Sequence, residues 1–168
     1  FFDAVPIKQF IKKKDLLFEL CYKASEKKLY QKYRAASKDN IKKIQSFKTF
    51  DNLKFIEYPE LGFKELDKIV KKINQYDGGI LLIDYGHLNV IKESTLQAVM
   101  KNKKLNMSSL FKNLGKADVT SLVNFNLLKE YFLKKNLKVK KIVSQKFFLE
   151  KMGIIDRAKI LEKKMTNK

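Results

Sequence analysis

Two helix-then-strand units predict an α/β fold built on a parallel sheet. In the first, Glu65 to Tyr76 places Leu66, Ile69, Val70 and Ile73 on one helical face, and Asp77-Gly78-Gly79 closes the helix. Ile80-Leu81-Leu82-Ile83 follows as an apolar run without alternation, the pattern of a strand buried on both faces of a parallel sheet. In the second, Leu127, Leu128, Tyr131 and Phe132 mark an amphipathic helix over 126–135 that stops at Asn136, and 137–143 alternates like a strand near a sheet edge. A right-handed crossover would set the strands 79–84 and 137–143 parallel. At the carboxyl end of the first strand, Asp84-Tyr85-Gly86-His87 gathers a carboxylate, a phenol, a flexible hinge and the only histidine, where open α/β sheets hold their ligands.

The remaining elements follow in chain order. Ile7 to Lys12 reads as a helical turn after Pro6, and Leu16 to Tyr22 as a strand that buries Cys21, the only cysteine. Ser25 to Thr49 is lysine-rich and has the character of a solvated insertion, with a short helix through Ile41, Ile44 and Phe47 capped at Asp39-Asn40. Leu53 to Tyr58 alternates loosely, and Pro59 with Glu60 suits the first turn of the helix that runs to Tyr76. Ser94 to Val99 is short and either extended or helical, and 101–108 is a polar loop. Asp118 or Thr120, after Gly115, can cap the element that follows. Ser144 and Gln145 open a helix closed at Gly153, and Asp156 begins a final amphipathic helix through Ile160 and Leu161. No repeat, low-complexity tract or Gly/Ser linker divides the chain, so 1–168 is expected to form part of a single domain.

Composition narrows the function classes. A chain of 168 residues with 45% hydrophobic and 33% charged residues can bury a core. No apolar run approaches the roughly 20 residues that span a bilayer, which leads to the expectation of a soluble protein. The net charge of +19 would suit a polyanionic partner, but arginine occurs only at Arg34 and Arg157, so the fork that reads guanine or clamps phosphate is scarce. The abundance of Lys, Asn, Ile, Phe and Tyr, residues of A/T-rich codons, accounts for much of the basicity, and no specific nucleic acid is expected. The chain has no P-loop or GxGxxG element. A single histidine cannot build a multi-histidine metal site, and no nucleophile elbow accompanies it. What remains is a set of polar groups after strands, namely Asp3, Asp84 to His87 and Gln145, whose convergence on one sheet edge would make a small-molecule site.

Several short motifs occur together in register. Phe2-Asp3-Ala4 with Pro6, Glu57 and Pro59 before a helix, 79–87, Thr95-Leu96-Gln97-Ala98-Val99, 115–120, 123–125, Ser144-Gln145 with Phe148-Leu149, and Gly153-Ile154 follow the order found in the MidA-like methyltransferases, which the chain resembles. That family includes the mitochondrial complex I assembly-factor arginine methyltransferase. The resemblance implies the C-terminal half of a Rossmann-like class I methyltransferase sheet, with helices on both faces and the lysine-rich segment inserted. It also implies S-adenosylmethionine as cofactor and a protein substrate methylated on arginine, a respiratory complex I subunit being the candidate.

On that resemblance, Asp3 and Asp84 are the candidates for orienting the substrate nitrogen or stabilising its developing charge. Tyr85 and His87 line the acceptor pocket, Asp118 and Thr120 shape a loop above it, Gln145 adds a substrate contact, and Phe2 and Asp3 touch the cofactor. The location implied is a bacterial cytoplasm or, in a eukaryote, the mitochondrial matrix. The family's glycine-rich cofactor loop precedes the Phe-Phe-Asp-Ala motif and its closing strand follows the last helix, so the sequence is expected to be a fragment that binds the cofactor poorly alone. Lys116 stands where the family has Glu, and Asn124 where it has Asp. A basic nucleic-acid-binding module and a non-catalytic assembly partner are the alternatives.

Overall fold

The computed structural model describes residues 2–25 and 28–166. They fall into two compact units, Phe1–Lys138 and Val139–Lys168.

The first unit is mixed α/β. Strands β1 (Lys8–Lys13), β2 (Leu16–Ser25), β3 (Lys28–Ala35) and β4 (Phe55–Tyr58) form an antiparallel sheet in the order β3-β2-β1-β4. The expected helical turn at Ile7 to Lys12 is therefore a strand: β1 has a partner on each side, and ladder pairing overrides the local pattern. Phe10 and Ile56 face each other across β1 and β4 and are almost fully buried. Cys21, opposite Lys32, is half-buried rather than buried, because the β2–β3 ribbon has a solvent-facing side.

The lysine-rich insertion is less solvated than its composition suggests, and Glu26 and Lys27 within it lie outside the described residues. Its helix α1 (Lys38–Gln45) is capped by Ser37, whose hydroxyl accepts from the Asn40 N–H, and not by Asp39-Asn40. Lys38 and Lys42 stay exposed while Ile44 and Phe47, with the adjacent Phe50, enter the core. Glu130, on a distant helix, holds the 3-10 turn at Lys48–Phe50 by accepting from the N–H groups of Lys48 (2.7 Å) and Thr49 (2.9 Å).

Helix α2 (Glu60–Tyr76) starts behind Pro59 and buries Phe63, Leu66 and Val70. Its left-handed terminal residue is Asp77 (φ 51°) and not a glycine, with the Gly78 N–H returning to the Ile73 carbonyl. The apolar run that follows forms no strand. Ile80, Leu81 and Ile83 are 37%, 65% and 54% exposed, and 79–84 carries no ladder among the described residues. An apolar run can set an extended shape, but a strand needs a ladder partner, and 79–84 has none among the described residues. For the same reason 137–143 forms no strand. The parallel pairing instead falls on β5 (Gly86–His87) and, much later in the chain, β9 (Val123–Asn124).

Between these two strands lie β6 (Gln97–Met100), β7 (Lys103–Lys104), helix α3 (Met107–Lys112) and β8 (Asp118–Thr120), with sheet order β7-β6-β8. Asp118 and Thr120 are strand residues opposite Val99 and Gln97, not caps. The cap of α4 (Phe125–Lys134) is Asn124, whose side-chain oxygen accepts from the Leu127 N–H at 3.0 Å. Asn136 stops this helix in the left-handed conformation (φ 61°). Tyr131 of α4 stacks on Phe63 of α2 with ring centroids 4.5 Å apart, joining the two helices at the core. The second unit contains α5 (Gln145–Lys151), capped by Ser144, and α6 (Ile154–Thr166), with Gly153 at φ 84° between them.

Candidate functional site

The site is assembled around the turn that leaves the apolar run. The Asp84 carboxylate accepts from the backbone N–H groups of Phe2 (2.8 Å) and Asp3 (3.3 Å) through Oδ2, and from Tyr85 (2.8 Å) through Oδ1. Burial favours its neutral form, but the Tyr85 N–H, the positive amino terminus and the Phe2 N–H together outweigh that and hold its pKa below the ordinary value. The Phe2-Asp3-Ala4 and Asp84-to-His87 motifs, some eighty residues apart in sequence, thus meet at one carboxylate.

Three consecutive N–H groups then stitch the following segment to three different parts of the chain. Ser121 donates to the Asp3 carbonyl (2.8 Å), Leu122 to the Thr95 hydroxyl (3.0 Å) and Val123 to the Tyr85 carbonyl (2.9 Å). Gly86 lies in this seam because a Cβ there would collide with the Val123 carbonyl and with the Phe125 ring, 2.6 Å away. His87 Nδ1 lies 2.6 Å from the Asn89 carbonyl, which can only accept, so Nδ1 carries the proton. Asn126 donates to the Leu88 carbonyl and fastens the same loop to α4.

Beneath the loop is a cavity of about 70 Å³. His87, Asn89 and Glu93 border it on one side, Glu57 and Thr95 on another, and Asn124 and Asn126 close it at the start of α4. Its polar framework is a part-buried network. Gln9 and Glu57 are cross-strand partners on β1 and β4, and Gln9 Nε2 donates to Glu57 Oε1 (2.9 Å) and to the Ser94 hydroxyl (2.7 Å). Thr95 donates to Glu57 through its N–H (3.0 Å) and its hydroxyl (2.5 Å). No buried side-chain nitrogen or oxygen among the described residues lacks a partner.

Of the residues expected from sequence, Phe2 and His87 border this cavity, while Asp3, Asp84, Tyr85, Asp118 and Thr120 do not. Phe2 is buried, its ring 6.4 Å from Phe63, and Tyr85 is 79% exposed. Gln145 opens α5 in the second unit. Sequence reasoning missed Gln9, Ser94 and Glu93 as site residues and gave Glu57 and Thr95 no role. The available signal was a carboxylate at a strand position flanked by the buried Ile56 and Tyr58, but its partner Gln9 is a matter of register.

S-adenosylmethionine does not fit the cavity. Ligand pockets measure roughly 300–1,000 Å³, and 70 Å³ is far below that. The described residues also offer no glycine-rich loop for a nucleoside. Among them, no group of three or more metal-ligating side chains occurs.

The sequence profile of the family described as putative S-adenosyl-L-methionine-dependent methyltransferase matches residues 1–143, and the chain belongs to that family. It is 29% identical over 168 residues to the mitochondrial protein arginine methyltransferase NDUFAF7 of Xenopus laevis, covering 98% of this chain and 37% of that protein. To the Xenopus tropicalis counterpart it is 27% identical, covering 99% and 38%. The chain therefore spans well under half the length of these relatives. Its fold is that of two Burkholderia thailandensis proteins of one superfamily. One matches with TM-score 0.69 and 16% identity over 92% of this chain and 42% of that one. The other, bound to S-adenosyl-homocysteine, matches with TM-score 0.64 and 15% identity over 92% and 41%. The α/β methyltransferase fold expected from the sequence is thus found, although the strands expected at 79–84 and 137–143 are not formed.

Proposed function

We propose that this chain is the acceptor-side part of an S-adenosylmethionine-dependent methyltransferase that modifies a protein side-chain nitrogen, and that the acceptor is arginine. The observation that carries the reading is the junction at Asp84, where two of the motifs that carry the family resemblance are bonded to one another. Methyl transfer requires the acceptor nitrogen to be held in line and water to be kept out. On this reading the chain supplies the holding. Asp84 fixes the turn, Asp3 and Asp84 bias the charge beside it, Tyr85 and His87 line the approach, and Asp118, Thr120 and Gln145 contribute to substrate contacts. Phe2 and Asp3 mark the edge toward the cofactor.

The finer assignments belong to the same proposal: a fragment of a longer enzyme, acting in respiratory complex I assembly, in the mitochondrial matrix or a bacterial cytoplasm. The names of the Xenopus relatives support arginine methylation and a mitochondrial setting, and the small cavity supports a cofactor site completed by further polypeptide. Calorimetric titration of S-adenosylmethionine should show no saturable binding to the 168-residue chain and tight binding once the chain is extended by its upstream reading frame. The extended protein should then transfer labelled methyl groups to arginine peptides and not to lysine peptides. Micromolar cofactor affinity in the short chain, or labelling of lysine alone, would overturn the reading.

A further inference from the structure

Several carboxylates of the first unit are paired with cations. Glu60 lies between Lys8 and Lys43, Asp67 meets Lys135, Glu130 meets Lys134, and Glu19 meets Arg34. Glu57 differs. It borders the cavity, yet its hydrogen-bond donors are Gln9 and Thr95, both neutral, and it forms no ion pair among the described residues. In a chain with 37 Lys and Arg against 18 Asp and Glu, a cation is the easiest partner to supply. A carboxylate offers about four acceptor positions, and three bonds occupy those of Glu57, two on Oε1 and one on Oε2. One position on Oε2 therefore has no donor among the described residues.

Gln9 and Thr95, which aim this carboxylate, are 6% and 7% exposed, so its orientation is set by the core and not by solvent. A water needs about 10–15 Å³ of such space, and a cavity of 70 Å³ therefore holds about five atoms of that size. That is enough for the four heavy atoms of a guanidinium and far too little for a nucleoside. Leu88, Leu122 and Leu128 also border the cavity, and an apolar wall suits the weakly hydrated, planar guanidinium better than a strongly hydrated ammonium.

We propose that Glu57 is the specificity-determining carboxylate of the acceptor site and that it receives the guanidinium of an arginine side chain in the cavity beneath the 87–89 loop. The identification of this ligand as the methyl acceptor rests on the methyltransferase reading, but its binding does not. The contact is a charge-assisted hydrogen bond to Oε2, supported by the Glu93 carboxylate at the rim.

The test uses the 168-residue chain without cofactor. N-acetyl-arginine amide, its lysine counterpart and the neutral isostere N-acetyl-citrulline amide are titrated separately and followed by amide chemical shifts. The arginine probe should bind saturably and shift Thr95, His87 and Leu122, with the lysine probe weaker and the citrulline probe at least tenfold weaker. Glu57→Gln should reduce arginine affinity at least tenfold while leaving citrulline affinity unchanged. Glu93→Gln, which disturbs none of the part-buried network, should reduce arginine affinity by a smaller factor and thus tests the charge even if Glu57→Gln unfolds. Equal binding of arginine and citrulline, shifts confined to other residues, or no arginine binding to the wild type would overturn the proposal. None of these readouts involves methyl transfer, so they fail or succeed independently of the activity measurement.

Discussion

Asp84 shows how one residue can be legible in sequence while its immediate work is not. Its position at the end of an apolar run singles it out as a candidate site residue. The structure gives both carboxylate oxygens N–H donors, from Tyr85 on one side and from Phe2 and Asp3 on the other. Asn has only one acceptor atom, and its amide would point a donor at another donor. Asp84→Asn should therefore destabilise the chain by about 1–3 kcal/mol, the range for losing a bond to a charged group and leaving a donor unmet, as read by urea denaturation. An unchanged midpoint would show that the clamp contributes nothing. Asn124 combines two positions in one residue: its side-chain oxygen caps α4, and it borders the cavity.

At the scale of elements, the short parallel pair β5–β9 carries a constraint out of proportion to its length. It brings Gly86 against the Val123 carbonyl, and no side chain fits between them. Gly86→Ala should separate the strands and cost about 1–3 kcal/mol or more, the range for an overpacked site. Gly79→Ala is the control, since a Cβ there meets nothing within 4 Å and should be neutral or slightly stabilising. Thermal melts of the two variants, with His87 ring shifts as a local probe, check both; equal melts would mean that the seam tolerates a side chain. The helices were easier to read than the strands. Periodicity located α2 and α4 nearly to their ends because helical hydrogen bonds are local, whereas the missing strands at 79–84 and 137–143 depend on partners that the pattern does not contain.

For the whole of the first unit, acid stability depends on a junction of three elements. Glu60 at the start of α2 bonds Lys43 of α1 at 2.7 Å and Lys8 of β1 at 2.5 Å. The bonds from Lys43 and Lys8 lower its pKa from 4.5 to about 2. A carboxylate with a depressed pKa stabilises fully above its unfolded value and loses that contribution as pH falls through its folded value. Glu60→Gln should thus be less stable than the wild type at neutral pH, and the gap should close between pH 4.5 and about 2. Urea midpoints across that range check it; a gap independent of pH would assign the difference to packing instead of charge.

Much of the molecule follows from the sequence alone. Local patterns determined helices α2 and α4, the Asn136 stop, the Ser144 cap and the polar tip at Asp84, and the register of short motifs indicated the family. Each depends on neighbours in the chain or on residue identity. Only the tertiary structure decided that Lys8–Lys13 extends as β1, that Phe47 of the lysine-rich insertion and the adjacent Phe50 enter the core, and that Gln9, Glu57 and Thr95 form one network. These outcomes depend on cross-strand register and on packing between distant segments. Residue spacing does not encode either, because the free energy belongs to the pair and not to either partner.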